Sequence, residues 1–472
     1  MGALLFLAPL VRGGNRAVAM AGLLALALVV LAALAALALQ GRRGAGAAPA
    51  LADGLAPVTR WQWLALAVLV ASPLWLGVLQ LVPISAAWWG SLAGRQAYLD
   101  ALPALGLAVP GALPLSLNPA ATWASVWVGV PMVAALLAAL RLPRVLLDRL
   151  LLVLLGAGLM QVLLGVAQFA SGPRSALYFG LPGSGFIGSF ANRNHLADFL
   201  AMLLPVWLYV WMKRQQRGSE RHHGDGRLAA VARGPGMLLL GFSFVVVLLS
   251  TQSRGGVLAA ALVLLLCGLL YFFTLRGQLK AWQQWLLGGA LVAFVALAAA
   301  SVDLQAILSR VEAQRLQEDA DLRRTLAQAT WTAAGAFWPW GSGLGTFESV
   351  FPRFAPAVAL QGFVNHAHND YAQLAMEAGA AGVLLALLVL ALVLWQLVAL
   401  VRAARRALRL TGELALRVFA GLGCLALLLH SWVEYNLHIP ALAITASFLL
   451  GVFLRPLPAG GAPAGAAPRV RR

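Results

Sequence analysis

The sequence from Ala17 to Leu39 reads AVAMAGLLALALVVLAALAALAL, without one charged side chain. Roughly 20 apolar residues in a helix are enough to cross a hydrocarbon core about 30 Å thick. This run has no polar face that could contact water, so the medium around it has to be lipid. It therefore predicts a transmembrane helix.

Comparable runs recur along the whole chain, and they predict about twelve membrane spans. The first is a short segment from Met1 to Leu10. Those after Ala17–Leu39 are Trp61–Val82, Thr122–Leu140, Val145–Phe169, Phe190–Trp211, Met237–Leu249, Val257–Phe273, Trp285–Ala300, Tyr371–Val401, Val418–Leu429 and Ile439–Leu454. With 61% hydrophobic and 11% charged residues among 472, the sequence predicts an all-α polytopic membrane protein.

The basic residues predict the topology. A net charge of +18 would suggest nucleic acid in a soluble protein, but here the Lys and Arg residues lie in short loops between spans, so no nucleic-acid partner is predicted. If these loops are cytoplasmic, the alternating connections are external. The basic segments are Arg42–Arg60, Arg141–Arg149, Lys213–Arg233, Arg276–Lys280, Arg402–Arg409 and Arg469–Arg472.

The longest external connection divides the chain. We expect an amino-terminal transmembrane bundle over 1–301, a large external loop with short helices over 302–370, carboxy-terminal spans over 371–455 and a flexible cytoplasmic tail over 456–472. Apolar residues at helical spacing from Leu304 to Val311 suggest an amphipathic helix, either at the membrane interface or packed on the bundle.

Unusual polar side chains gather at the predicted outer ends of the spans. A transporter is expected to carry ionisable groups along a path across the bilayer, whereas an enzyme with a lipid-borne substrate needs them at one interface. Only Asp198 and Glu377 approach the membrane interior, and both lie within a few turns of the outer face. The pattern favours an enzyme.

Two arginine-containing turns are candidate anion sites. Asn192, Arg193, Asn194 and His195 enter one span, where the asparagines can cap the helix and the Arg193 fork can bind phosphate. Asp198 is interpreted as a partner of Arg193 or His195. In the second turn, Arg254 breaks the positive-inside pattern and is flanked by Gly255, which permits close backbone approach. An arginine that anchors its turn at the lipid headgroups is the alternative in both cases.

A third cluster, Asn365–Tyr371, runs into a span and contains His366, His368 and Asn369. Histidine can take a proton near neutral pH, so a histidine here is a candidate general base. Too few carboxylates and cysteines accompany it to predict a metal site. Further along, Glu434 and Tyr435 either line a sugar site or belong to the interfacial aromatic belt, and the belt is the favoured interpretation.

In order and spacing, these clusters resemble the O-antigen ligase and polymerase superfamily of bacterial envelope glycosyltransferases. The resemblance rests on Phe190–His195, Ser253-Arg254-Gly255, Gly341–Phe347, and His368-Asn369 followed after nine residues by Gly379-x-x-Gly382. The last element is the most specific, and it resembles the ligase branch. The glycine-rich Gly341–Gly345 lacks the Lys-Ser/Thr ending of a nucleotide-binding loop.

The resemblance implies an inner-membrane enzyme with a periplasmic active site in lipopolysaccharide biosynthesis. It would transfer a glycan, with inversion and without metal or cofactor, from undecaprenyl diphosphate to a hydroxyl of lipid A-core. Arg254 and Arg193 would hold the diphosphate, with Arg323 or Arg324 as an alternative second contact. His368 would orient or deprotonate the acceptor, a role that His366 could share. Alternatives are a repeat-unit polymerase, a protein O-oligosaccharyltransferase and, from another class, a transporter of lipid-linked sugar.

Overall fold

A computed structural model describes residues 1–43, 60–180, 185–220, 227–275, 289, 310–361, 363–407 and 412–456. Within them the chain is helical with one small sheet. The helices are α1 Gly2–Leu7, α2 Leu10–Gly13, α3 Ala17–Arg43, α4 Arg60–Gln80, α5 Ala86–Ser91, α6 Gln96–Ala104, α7 Pro119–Arg141, α8 Arg144–Ser171, α9 Arg193–Glu220, α10 Arg227–Ser250, α11 Arg254–Leu275, α12 Arg310–Ala336, α13 Phe347–Val350, α14 Asp370–Ala407, α15 Gly412–His430 and α16 Pro440–Phe453. Short 3-10 turns cover Ala176–Tyr178, Phe351–Arg353, Ala357–Gln361 and Asn436–His438.

Eight of the described helices are long and apolar enough to cross a membrane, which confirms the all-α polytopic class. They are α3, α4, α7, α8, α9, α11, α14 and α15, and shorter apolar helices cover Pro235–Ser250 and Pro440–Phe453. The predicted span Trp285–Ala300 lies outside the described residues apart from residue 289. The count of about twelve is therefore not confirmed.

The first predicted span differs from the structure. Helix α1 has six residues, so it is about 9 Å long and cannot cross the bilayer. Leu4 and Leu5 are fully buried, and α1 packs against α8. This apolar segment is therefore a short element of the protein core rather than a span.

Helix α9 lies at the centre of the bundle. It contacts α8, α10, α11, α15 and α16, and most of the residues in its apolar stretch are buried. Helix α7 packs against α3, α4 and α16. Gly129 of α7 lies against Pro73 of α4, where an added Cβ would be 2.6 Å from the proline Cβ. The first half of the chain and its last helices thus share one hydrophobic core.

Hydrogen bonds join the predicted external connections at one end of the bundle, which we call the site end. Leu117 N donates to Ser342 O (2.8 Å), and Asp370 N donates to Ser431 O (3.0 Å). A two-stranded antiparallel sheet, β1 Pro83–Ser85 with β2 Ala112–Pro114, lies in the first of these connections.

Charged groups near the other end of the spans form a separate network. The Asp148 carboxylate accepts hydrogen bonds from Tyr209 (2.7 Å) and Lys213, and Arg144 lies 3.8 Å from Glu413. Arg455 donates to the carbonyl of Ala139 at 2.7 Å. Part of the predicted basic side is thus gathered at one end, and its cytoplasmic orientation stays a prediction.

The described part of the predicted large loop consists of α12, α13, two 3-10 turns and connecting segments. Helix α12 packs against α14, and its Leu326, Ala333 and the following Phe337 are buried with Met376. Leu304, Ile307 and Leu308, on which the amphipathic pattern rests, lie outside the described residues. The part that the structure describes packs on the bundle.

Candidate functional site at one end of the bundle

The centre of the site end is the carboxylate of Glu434, whose side chain is fully buried. Asn194 Nδ2 and Arg323 Nη1 donate to Glu434 Oε2 at 2.6 and 3.1 Å. His368 Nδ1 lies 2.8 Å from Oε1. Residues from α9, α12, the segment before α14 and the loop after α15 thus meet at one charged group. A buried charge is tolerated when donors surround it in this way.

These contacts fix the ionisation of Glu434. Burial alone would raise the pKa of its carboxyl, but the hydrogen bond from His368 and the positive charge of Arg323 hold it well below the usual range. Glu434 is therefore an anion near neutral pH and can only accept hydrogen bonds. It follows that His368 Nδ1 carries the proton and that Nε2 is left as the acceptor or second donor.

The backbone of His368 is in a strained conformation. Its φ is 49°, in the left-handed region that residues with a Cβ rarely adopt. Its side chain is 22% exposed, so the ring can be reached from outside while Nδ1 stays bound to Glu434. Glu434 therefore orients a histidine whose second nitrogen is available for chemistry.

The ring of Tyr435 lies among three histidines. The centroid of His366 is 4.4 Å away in a stacked arrangement, and those of His195 and His368 are each 4.9 Å away, edge to face. Asn192 and Asn365 contact the tyrosine hydroxyl. The predicted first and third clusters are thus brought together by the turn after α15, and placing Glu434 and Tyr435 in an aromatic belt was wrong. Trp432 and Val433, 58% and 45% exposed, are the outward-facing members of that turn.

His366 and His368 differ in environment. His366 Nδ1 is 3.3 Å from Gln373 Nε2, an amide donor, so its lone pair is occupied. Burial and the neighbouring His438 lower the pKa of His366 to about 2. An imidazole with such a low pKa is a weak general base near neutral pH.

A second histidine and carboxylate pair supports the first. His438 Nδ1 lies 2.8 Å from Asp370 Oδ1, and Asp370 Oδ2 accepts from Leu437 N at 2.9 Å. Burial alone would lower the pKa of His438, but the hydrogen bond and charge of Asp370, with the charge of Glu377, raise it. This pair joins the start of α14 to the turn that carries Glu434.

The predicted asparagines are partly used by the backbone. Asn192 Oδ1 accepts from Asn194 N (2.8 Å) at the start of α9, as expected for a cap. Asn369 Oδ1 accepts from Tyr371 N and Ala372 N at 3.1 and 3.0 Å and so caps α14. Asp198 is buried 3.5 Å from His430 Nδ1. Its predicted pairing with Arg193 or His195 was wrong.

The predicted arginines occupy different positions. Arg323 is paired with Glu434, whereas the adjacent Arg324 is exposed. Arg193 Nη1 donates to Gln252 Oε1 at 3.5 Å, which links the two arginine turns. Arg254 begins α11, and its Nε is buried without a hydrogen-bond partner among the described residues.

A cavity of about 620 Å³ opens beside Tyr435. Its lining residues are Arg12, Asn15, Arg16, Ile187, Ala191, Asn192, Arg193, His195, Phe363, Asn365, Tyr435 and Ile439. Neither His368 nor Arg254 is among them, although Tyr435 contacts His368. Arg12, Asn15 and Arg16 were missed by sequence reasoning. The arginines beside Gly13 and Gly14 resembled ordinary charges flanking a span.

The glycine-rich segment is hydrogen-bonded to Glu377 of α14. Gly345 N and Phe347 N donate to the Glu377 carboxylate at 2.8 and 3.1 Å, and Gly343 N donates to Glu377 O at 2.9 Å. An added Cβ at Gly379 would be 2.2 Å from Pro339 O. Glu377 thus binds loop amides, and Gly379 permits a close approach to Pro339.

The fold and these contacts define a polytopic membrane protein with a polar site at one end. Residues 237–387 match a family model described as O-Antigen ligase. The matched stretch contains Arg254, the glycine-rich segment, His368 and the Gly379-x-x-Gly382 motif. The match confirms the predicted resemblance to the O-antigen ligase and polymerase superfamily, and it supports a ligase- or polymerase-type function for this membrane protein. No curated protein matches the chain.

Proposed function

We propose that this protein is an O-antigen ligase of the bacterial inner membrane. It transfers a glycan from undecaprenyl diphosphate to a hydroxyl of lipid A-core at the periplasmic face. The observation that carries the proposal is the pair formed by His368 and the buried Glu434, beside a cavity that three arginines line. A base next to an anion-binding cavity suits the transfer of a sugar from a diphosphate to a hydroxyl.

In the proposed reaction, Glu434 holds the His368 ring through Nδ1, and Nε2 takes the proton of the acceptor hydroxyl. The acceptor oxygen forms a bond to the anomeric carbon as the bond from that carbon to the diphosphate oxygen breaks. The diphosphate leaves with the electron pair and remains on undecaprenol. Attack opposite to the leaving group inverts the anomeric configuration, and the step requires no nucleotide sugar, cofactor or metal ion.

Arginines stabilise the charge that develops on the leaving diphosphate. Arg193 lines the cavity and donates a hydrogen bond to Gln252. Arg254 is two residues after Gln252 in the same turn. Arg323 acts through Glu434, because its guanidinium is bound to that carboxylate and to Val433 O at 2.7 Å. Asn192, His195 and Tyr435 line the cavity. Tyr435 also contacts His368, and Asn194 donates to Glu434.

The deciding experiment is a lipopolysaccharide gel, probed for the glycan, on a strain lacking the protein and on the complemented strain. We expect core-only lipopolysaccharide in the deletion strain, polymer accumulated on undecaprenyl diphosphate, and restoration on complementation. A core that carries one repeat unit would identify a polymerase instead. An unchanged ladder would contradict both and direct the test to glycoproteins and to lipid-linked sugar transport.

A further inference from the structure

The short element α2, between α1 and α3, is a left-handed turn rather than a regular helix. Successive residues Val11, Arg12, Gly13 and Gly14 have φ values of 54°, 59°, 66° and 80°. Glycine adopts this region freely, but Val11 and Arg12 do so at a conformational cost. Surrounding contacts must therefore hold the turn in place, and strain of this kind is concentrated at functional sites.

The contacts that hold the turn come from the site end. An added Cβ at Gly13 would be 2.7 Å from the Phe190 ring and 3.0 Å from the side chain of Ile439. Ser189 Oγ donates a hydrogen bond to Pro9 O. The turn thus packs between the segment before α9 and the segment before α16. These contacts fix its position relative to Tyr435.

The turn points its polar residues into the cavity. Arg12, Asn15 and Arg16 line it together with Arg193, and no lining residue is a carboxylate. No ion pair to a carboxylate is found for any of these arginines within the part of the chain that the structure describes. Three guanidinium groups around one cavity without an internal counter-charge create a strong preference for an anion.

We propose that the turn over residues 11–16 is a diphosphate-binding element, in which Arg12 and Arg16 act with Arg193 on the donor. The assignment of the anion to the donor rests on the proposed function. Guanidinium forks match phosphate oxygens, and a lipid-borne diphosphate presents several such oxygens to one cavity. The sugar attached to it would extend past Tyr435, whose ring also contacts His368.

The test uses the full-length protein in phosphatidylcholine nanodiscs and measures the binding of undecaprenyl diphosphate. We expect the double variant Arg12→Gln/Arg16→Gln to weaken binding by about tenfold or more, because each charged hydrogen bond contributes substantially. Arg16→Gln alone replaces an exposed side chain and should weaken binding while leaving the thermal unfolding midpoint unchanged. Arg174→Gln is the matched control: Arg174 is exposed in the connection after α8 and does not line the cavity, so its binding should stay within about twofold of wild type.

Parallel binding measurements separate the sources of phosphate. Equal loss of binding to phosphatidylglycerol would show a general headgroup anchor and overturn the proposal. A loss confined to lipid A-core would assign the turn to the acceptor and also overturn it. If the wild-type protein is a ligase and the double variant binds undecaprenyl diphosphate normally, this inference alone is refuted. If the arginines bind the diphosphate but deletion of the protein leaves the lipopolysaccharide ladder unchanged, the proposed ligase function is refuted and this inference stands.

Discussion

At the scale of single residues, the arrangement depends on one anion that the fold surrounds with donors. Glu434 is fully buried and is contacted by Asn194, Arg323 and His368. Removing such a charge leaves its donors without a partner and removes the orientation of the histidine. The same carboxylate therefore serves both the packing of four segments and the proposed proton transfer.

Glu434→Gln tests this dual role. The amide keeps the volume but loses the negative charge that fixes the proton on His368 Nδ1, so we expect glycan transfer to fall by roughly 100-fold or more. Transfer is measured in isolated membranes, with protein abundance followed by immunoblot. Glu348→Gln is the control, because Glu348 is exposed at the same end, on α13, and should leave transfer unchanged. Full activity of Glu434→Gln would remove the pair from the mechanism.

Arg254 has a separate test. Arg254→Ala should abolish transfer, and Arg254→Lys should retain only a small part of it, because an ammonium group cannot reproduce forked contacts to phosphate. Rates are compared in membranes of equal protein content, with Arg174→Lys as the control. Wild-type rates for Arg254→Lys would mean that only the charge matters, and wild-type rates for Arg254→Ala would exclude the residue.

The His438 pair predicts a dependence of stability on pH. The pKa of His438 is raised in the folded protein by Asp370, and the charge of Glu377 adds to the effect. The neutral His366 ring lies nearby in a tilted arrangement, with its centroid 4.7 Å from that of His438. Its stabilising contribution is therefore complete below the unfolded value of 6.5 and is lost as pH rises through the raised pKa. The difference in unfolding midpoint between wild type and His438→Gln, measured by thermal unfolding in detergent, should shrink as pH increases above neutrality. A difference that is constant with pH would contradict the pairing.

Sequence reasoning singled out His368, Arg193 and Arg323 but did not predict how they are paired. It did not assign Arg12 or Arg16 to the site. Glu434 and His368 are separated by 66 positions, so no local spacing rule relates them. Successive residues of a helix point about 100° apart, and the rotation of α12 decides that Arg323 rather than Arg324 meets Glu434. That rotation depends on packing against α14, which the sequence does not specify.

At the scale of elements, the decisive contact is between α14 and the glycine-rich segment. Gly379 has φ 57° and ψ −140°, which interrupts the helix. Ala380 N donates to Pro339 O at 2.8 Å, and Ser342 N donates to Met376 O at 2.9 Å. The segment thus replaces helical hydrogen bonds that the break removes. Glycine at this position was predictable as a point of close contact, but the break in the helix was not.

Gly379→Ala should damage this junction. The new Cβ would lie 2.2 Å from Pro339 O at a positive φ, so we expect a loss of stability of about 2 kcal/mol or more. The readout is the unfolding midpoint of the purified protein by fluorescence-detected size exclusion. Gly335→Ala on α12 is the matched control, since nothing lies within 4 Å of its added Cβ, and it should be neutral or stabilising. Equal midpoints for the two variants would contradict the junction.

At the scale of the whole molecule, the two ends of the bundle differ in chemistry. One end carries the histidines, asparagines and cavity, and the other carries the network of Asp148, Lys213 and Glu413. Apolar run length and basic loops predicted this division, because both follow from the cost of placing polar groups in lipid. The contribution of the first turn to the cavity depends on long-range packing, which run length does not encode.

The orientation of the two ends can be measured with engineered thiols. Cys267 and Cys424 are buried, so labelling by a membrane-impermeant maleimide should report added cysteines alone. We expect Arg174→Cys to be labelled in cells with a permeabilised outer membrane and Arg402→Cys to be labelled only after lysis. The reverse pattern would place the site on the cytoplasmic side and contradict the proposed periplasmic reaction.

The break at Gly379 also bears on how the enzyme responds to its bilayer. Beyond it, α14 exposes Leu384, Leu387, Leu390 and Leu394 on its outer face, so this part must follow the thickness of the surrounding lipid. The residues before the break are tied to the loops instead. A tilt of the longer part can therefore be absorbed at the glycine without moving His368, and transfer should be nearly independent of acyl-chain length.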